Sequence, residues 1–259
     1  MIHINSSRIV FSFDDARADS YEAIKIAAQY GIKSTLNVTT GYVDGSLPES
    51  CKDFPVPAMS KEQVIELSDN PLVEIACHSH SHRNDIDDIL KGRDELCKWL
   101  RPGYKLGFVS PGSSVDFNVN PLEVFKQHDF LFVRIGPRWG RYEKVLRVIR
   151  KMSRVLKSNW LFWLGYRGTI TKAVDEDYLI HGIPVIHDNT LEQFMFIISK
   201  SLGHANNIVF IWHSVLSLDE PAGMDNWSWN KASYIKLCQF ISDNLGENLQ
   251  TCFTRELVK

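Results

Sequence analysis

No apolar run in this 259-residue chain reaches the roughly eighteen residues that a membrane-crossing helix needs. The five cysteines, Cys51, Cys77, Cys97, Cys238 and Cys252, are scattered without CxxC spacing, which excludes a disulfide framework and points to buried or free thiols in a reducing compartment. Charge of one sign is also missing: a net charge of −2 predicts no general affinity for nucleic acid. No glycine-rich dinucleotide loop follows the first apolar run, and there is no internal repeat, low-complexity tract or linker. Met1 to Val10 lacks the basic end, apolar core and small-residue cleavage site of a secretory leader. The expectation is a single domain over residues 1–259, held in the cytoplasm.

What is present is a core. Apolar residues make up 44% of the chain and aromatics 11%, enough for a substantial hydrophobic interior. Short β-branched and aromatic runs recur at Arg8–Phe13, Lys33–Val38, Leu72–Cys77, Tyr104–Val109, Phe130–Ile135, Leu179–Ile186, Ile208–Trp212 and Leu249–Phe253, separated by segments of helical period. Ser60-Lys-Glu-Gln63 and Thr190-Leu-Glu-Gln193 read as capping boxes that open helices. Gly41–Ala58, with three prolines, is the longest aperiodic stretch and reads as a surface excursion. Seven or eight strand–helix units in this length predict an α/β fold closed as a (β/α) barrel, whose chemistry sits at the C-terminal ends of the strands. Those ends carry Asp14-Asp15, His78 to His82, Ser110-Pro111, Arg134, His187-Asp188 and His213.

Two of these stretches demand explanation. Asp14 and Asp15 place adjacent anions at the end of an apolar strand, where one needs a cation or a proton unless both are well solvated. Glu74-Ile-Ala-Cys-His-Ser-His-Ser-His-Arg83 packs three of the nine histidines into five residues. In an extended strand the outer two would stand about 13 Å apart, too far for one ion with bonds of about 2.1 Å. In a turn entering a helix, residues four apart are roughly 6 Å apart, so His78 and His82 converge while His80 points elsewhere. Asp15, His78 and His82 then form a two-histidine, one-carboxylate set with open positions, as in a catalytic metal site. Zinc is the usual occupant of such a set, with iron, manganese, cobalt and nickel as the other candidates.

Ser12-Phe-Asp-Asp15, His78-Ser-x-x-His82, Phe108-Val-Ser-Pro-Gly112 and Ile211-Trp-His213, in that order, resemble the motifs of the polysaccharide deacetylase (NodB-homology) family. The resemblance covers most of the chain except Tyr142–Thr171. It implies a distorted (β/α) barrel of seven or eight strands and metal-dependent hydrolysis of an acetyl group on a sugar. By motif position, Asp14 would be the general base, Asp15, His78 and His82 the metal ligands, and His213 the general acid. Three departures stand out. Val109-Ser110 occupies the place where an arginine often orients the base; Arg134 on the next strand could supply that charge or, equally, pair with a surface carboxylate. Ala16 stands where glycine is usual, and Trp212 where leucine is common. Pro111, Arg134, His187 and Trp212 are candidates for substrate contact.

From Arg138 to Lys172 ten basic residues face one acid, Glu143. Val145, Val148, Ile149, Met152, Val155, Leu156, Trp160 and Trp163 follow helical spacing within this stretch. Three readings stay open: a barrel helix with its apolar stripe on the core and a solvated basic face, a peripheral membrane anchor at 138–172, or a set of arginines that clamps a pyrophosphate. The function expected overall is deacetylation of an acetamido sugar, with a nucleotide- or lipid-linked intermediate of surface polysaccharide synthesis as the substrate. The alternatives are a catalytically silent carbohydrate-binding relative and a hydrolase of non-peptide C–N bonds in small molecules.

Overall fold

Side chains alternate between the two faces of a strand, and in this chain the apolar runs carry large residues on one face and small or polar residues on the other. The computed structural model describes residues 6–52, 54–138, 140–172, 178–217 and 224–258. Residues 1–5, expected to lead into the first strand, and residue 139 of the basic segment lie outside the described residues.

In chain order, β1 (Ser7–Phe13) is followed by α1 (Ala18–Gln29), β2 (Ser34–Val38), the short α2 (Thr40–Val43), α3 (Lys61–Asp69), β3 (Val73–Cys77), α4 (Ile86–Trp99), β4 (Phe108–Val109), α5 (Leu122–Gln127) and β5 (Val133–Ile135). The second half contains α6 (Glu143–Val155), α7 (Asn159–Tyr166), β6 (Thr171–Lys172), β7 (Leu179–His181), β8 (Ile183–Pro184), α8 (Leu191–Ser201), β9 (Asn206–Trp212), β10 (Ser214–Leu216), β11 (Ser228–Asn230), α9 (Lys231–Asn244) and β12 (Leu249–Thr251). Both expected capping boxes form, at Ser60 and Thr190.

Strands β9, β1, β2, β3, β4, β5 and β7 pair side by side in parallel. β8 then pairs in parallel with β9, so the pairing returns to its start through the single segment 179–184. The ring is a distorted (β/α) barrel. The run expected as one strand from Leu179 is split at Gly182, where a Cβ would lie 2.6 Å from Ile211 Cγ1. Distortion is greatest at β4, which shares only the register pair Cys77–Phe108 with β3. There Gly107 lies against the Phe132 ring, 2.2 Å from where its own Cβ would be, so no larger residue fits without displacing that ring.

Outside the ring, Phe11, Phe13, Phe194, Phe210, Trp212, Trp229 and Tyr234 interlock beneath α8 and α9. Inside it, Val10, Ala76, Val109, Phe132, Ile180 and Val209 pack together with Cys252 and Leu257. Below them Glu74 is fully buried, accepting from Thr35 Oγ1 at 2.8 Å, and burial pushes its pKa up to about 7. The register sets Phe13 opposite both Leu36 and Trp212, which brings Asp14, Asn37 and His213 to one level at the C-terminal rim.

Two expectations need correction. The stretch Gly41–Ala58 is no loose excursion: Tyr42, Phe54 and Val56 are buried in a satellite cluster with Leu216. The apolar stripe of the basic segment does not face the core. Val145, Val148, Met152, Val155, Leu156 and Trp160 are all exposed, at 45–72%, while the buried residues of α6 are Arg150 and Ser153. The helix is fixed by its polar side. Arg150 Nε donates to Gly165 O at 2.8 Å, and Gln193 Nε2 donates to Ser153 O at 2.9 Å.

Candidate active site

Four strand ends, with the residue before β11, converge on one cleft of ≈140 Å³, lined by Asp14, Asp15, Arg17, His78, His82, Gly112, Ser113, His213 and Trp227. Directly after β1 the backbone enters a tight turn with φ of 71° at Asp15 and 55° at Ala16. Two successive non-glycine residues in the left-handed region cost of order 1 kcal/mol each, a form of strain concentrated at functional sites. The left-handed Ala16 explains why glycine suits that position.

The histidine turn is similar in kind. Ser79 has φ 65° and His82 φ 59°, so His78 and His82 converge through an irregular turn, and the helix expected there begins only at Ile86. Their ring centroids lie 5.0 Å apart. Asp88 on α4 ties the turn down by accepting from Ser81 N at 2.9 Å and from Ser81 Oγ at 2.6 Å. Gly92 lets the helix approach, since a Cβ there would lie 2.5 Å from Ser79 C. His80 points away, its Nδ1 3.0 Å from Thr40 Oγ1. Cys77 faces packing, its Sγ 3.6 Å from Ile89 O, and burial pushes its thiol up to about 12.

The ligand atoms of Asp15, His78 and His82 all lie within 4.8 Å of one another. Asp15 Oδ1 is 3.4 Å from His78 Nε2 and 3.3 Å from His82 Nε2. His78 Nδ1 is 2.8 Å from the carbonyl of Val109, which can only accept, so the ring proton sits on Nδ1 and a lone pair on Nε2 faces the carboxylate. Asp15 Oδ1 is buried without a hydrogen-bond partner. A partnerless carboxylate oxygen within reach of two imidazole nitrogens, one of them presenting a lone pair, fits a cation. The other oxygen, Oδ2, is committed to Arg17, whose Nε and Nη2 both lie 3.0 Å away. Burial opposes ionisation of Asp15, but the two imidazoles together with the charges of His213 and Arg17 outweigh it and hold the carboxyl well below its usual range.

Arg17 is 2% exposed; its Nη1 donates to Asp225 Oδ2 at 2.8 Å, and its guanidinium lies 4.4 Å from the Phe54 ring centre. Asp225 in turn accepts from Trp227 N at 2.8 Å and so fixes the tryptophan whose ring lies tilted against His213, centroids 4.6 Å apart. Neither Arg17, Asp225 nor Trp227 was anticipated from the sequence. Only Arg17 left a signal there, standing two residues beyond the carboxylate pair.

Asp14 is 2% exposed and its Oδ1 accepts from Asn37 Nδ2 at 2.7 Å and from Arg134 Nη2. The third motif thus lacks its arginine while a guanidinium from β5 reaches the same carboxylate. Asn37, a polar residue within the buried run Leu36–Val38, was the missed sign of that arrangement. Asp14 Oδ2 lies 3.9 Å from His213 Nε2. Burial pushes His213 down to about 4, against the attraction of Asp15 and Asp14. Among the remaining candidates, Pro111 is buried at the rim and its carbonyl accepts from Asn84 Nδ2 at 2.8 Å. His187 is exposed and does not line the cleft. Trp212 is fully buried in the aromatic core, where its indole stacks on Phe13, so it makes no wall of the cleft.

The polysaccharide deacetylase family model matches residues 4–133. Among solved structures, a mutant of a CE4 family pseudoenzyme with restored enzymatic activity shares 13% identity at a TM-score of 0.53, over 99% of this chain and 69% of its own. The wild-type CE4 family pseudoenzyme from Bacillus anthracis shares 10% identity at a TM-score of 0.52, over 100% of this chain and 67% of its own. At such identities the likeness is one of fold. No curated protein matches the chain. With the family model spanning half of the sequence and both of its strongest motifs meeting in one cleft, the chain belongs to the polysaccharide deacetylase family.

Proposed function

We propose that this chain is a metal-dependent hydrolase that removes the acetyl group from an acetamido sugar. The observation that carries the reading is the partnerless Asp15 Oδ1 facing two imidazole nitrogens in a cleft that also holds a carboxylate and a histidine free of that set. Asp15, His78 and His82 would hold a divalent ion, with zinc first among the candidates by ligand type. Such an ion polarises an acetyl carbonyl and makes a neighbouring water acidic enough to attack near neutral pH.

The chain's own groups then manage the proton. Oδ1 of Asp14 is occupied by Asn37 and Arg134, so Oδ2 is the oxygen that accepts the proton of the attacking water. His213, neutral near pH 7, has no proton to give until it gains one, and Asp14 Oδ2 at 3.9 Å is the source. The imidazole passes that proton to the amide nitrogen as the C–N bond breaks, and acetate and the free amine result. Trp227, packed at a tilt against His213, forms the wall against which a sugar ring packs.

Metal analysis of the protein as purified, followed by acetate release from free, nucleotide-linked and lipid-linked acetamido sugars, tests the reading. Turnover is expected with at least one of them, lost on chelation and regained on adding metal. Sugar binding without acetate release by the metal-loaded protein would favour the silent carbohydrate-binding relative; release of another product from a small-molecule amide panel would favour the C–N hydrolase.

The second partner in this proposal is an anionic membrane surface met through α6 and α7, which would set the protein in the cytoplasm on the inner membrane face. Among the described residues no helix is long and apolar enough to cross a membrane. The exposed line Val145, Val148, Met152, Val155 and Trp160 instead supports contact along the surface, flanked by Lys144, Arg141 and Lys157. Basic residues near anionic lipid contribute roughly 1 kcal/mol each. The protein is expected to co-sediment with anionic vesicles at low salt and to be released at high salt, and Val148→Glu with Val155→Glu should abolish sedimentation. Failure to sediment at low salt would rule the contact out.

A further inference from the structure

We propose that a second, basic cavity beside the cleft binds the phosphate or pyrophosphate that joins the acetamido sugar to its carrier. The sugar's identity rests on the deacetylase reading; the anion site does not. This cavity, of ≈540 Å³, shares Gly112, Ser113 and Trp227 with the cleft, so the two form adjoining compartments. Its other side is α6, which contributes Arg147, Arg150, Lys151 and Arg154. Their spacing of three, four and seven residues places all four on one helical face. No carboxylate is among the described lining residues.

Arg147 Nη2 donates to Glu143 Oε1 one turn back, which offsets part of this charge, and the face stays strongly basic at four cations to that one carboxylate. Arg150 is 4% exposed, held by Gly165 O and lying 4.4 Å from the Tyr166 ring centre. Burial, then the like charges of Arg147 and Arg154, set against Tyr166, lower its pKa. The helix accepts this repulsion while turning its apolar side chains outward, the reverse of the arrangement expected for a helix that stabilises only a core. Guanidinium groups at this spacing suit the several oxygens of a phosphoryl group, which they bind in pairs.

The chemistry of the ligand fits two adjoining compartments. In a 2-acetamido sugar 1-phosphate the acetyl-bearing nitrogen and the phosphate hang from neighbouring ring carbons. With the acetamido group between Asp14, His213 and the metal ligands, the sugar ring lies along Trp227 and its anomeric phosphate enters the basic cavity. The carrier beyond the phosphate is a nucleoside or a lipid, and both offer the same anion.

Calorimetry on the Asp14→Asn protein, where turnover does not interfere, separates the possibilities. The probes are methyl N-acetylglucosaminide, UDP-N-acetylglucosamine and a short-chain prenyl pyrophosphoryl N-acetylglucosamine. At least one pyrophosphate-linked sugar is expected to bind tenfold or more tighter than the methyl glycoside at low salt, with the advantage shrinking as salt rises. Preference between the two linked sugars identifies the carrier. Lys151→Ala with Arg154→Ala should erase most of that advantage and leave methyl glycoside binding unchanged. The exposed Lys151→Glu alone should reduce it too, should the double variant fail to fold. Equal affinity for linked and unlinked sugars, or an advantage that survives these substitutions, overturns the proposal. Acetate release by the wild-type chain from the same three probes reports on deacetylation separately: its absence with every one of them sinks the deacetylase reading and leaves the anion site standing on the binding data.

Discussion

Replacing Asp14 by asparagine lowers acetate release by roughly 10²–10⁴-fold, the range over which a positioned general base acts, with sugar affinity nearly unchanged. Asparagine keeps an acceptor oxygen for Asn37 and Arg134, so the shape of the cleft survives. What it loses is the basic Oδ2 and with it the supply of protons to His213. The companion substitution Arg134→Met attacks the same carboxylate from behind. Arg134 is fully buried against Asp14, and deleting one partner of a buried ion pair costs about 3–5 kcal/mol. Both changes break that pair and should lower the unfolding temperature, Arg134→Met the more because Asp14→Asn keeps the acceptor oxygen, whereas Asp14→Asn lowers turnover by far the more. Thermal unfolding followed alongside kcat distinguishes the two, and an Asp14→Asn protein with wild-type turnover would remove Asp14 from the chemistry.

Loss of the metal is the other large effect. His78→Ala or Asp15→Asn takes away one of three converging ligands, and elemental analysis should then find the ion largely gone, with acetate release below detection. Arg17 holds Asp15 Oδ2, so Arg17→Lys, which cannot reproduce contacts from both Nε and Nη2, should weaken metal affinity by about 10–100-fold. A wild-type metal content in His78→Ala would dismiss the three-residue site.

The ring and its rim could be read from the sequence because parallel strands leave long apolar runs and short polar ends. Phe11-Ser-Phe-Asp-Asp15 gives the inner face, the outer face and the site within five residues. What stayed hidden depends on contacts between distant segments. Arg17 and Asp225 are 208 positions apart, and no local pattern announces that one orients the other. Arg134 was visible as a charge at the end of β5, but its pairing with Asp14 across 120 positions follows from the order of strands around the ring. Periodicity identified α6 as amphipathic and gave no indication of its sense. A stripe of valines looks the same whether it meets a core or solvent, and only Gly165 and Gln193, which seize the polar side, decide it. Trp212 misled for a similar reason, since its place beside His213 in sequence puts it on the opposite face of β9.

The side chains stacked inside the ring have one more effect. Val10, Ala76, Val109, Phe132, Ile180 and Val209 close the barrel beneath the cleft, so the cleft has a floor and opens toward the rim and the basic cavity beside it. Under the proposed deacetylation, water would enter and acetate would leave on the rim side, the side that also admits the sugar. Added acetate is then expected to inhibit by occupying the cleft, and a rate of sugar turnover indifferent to acetate would count against that layout.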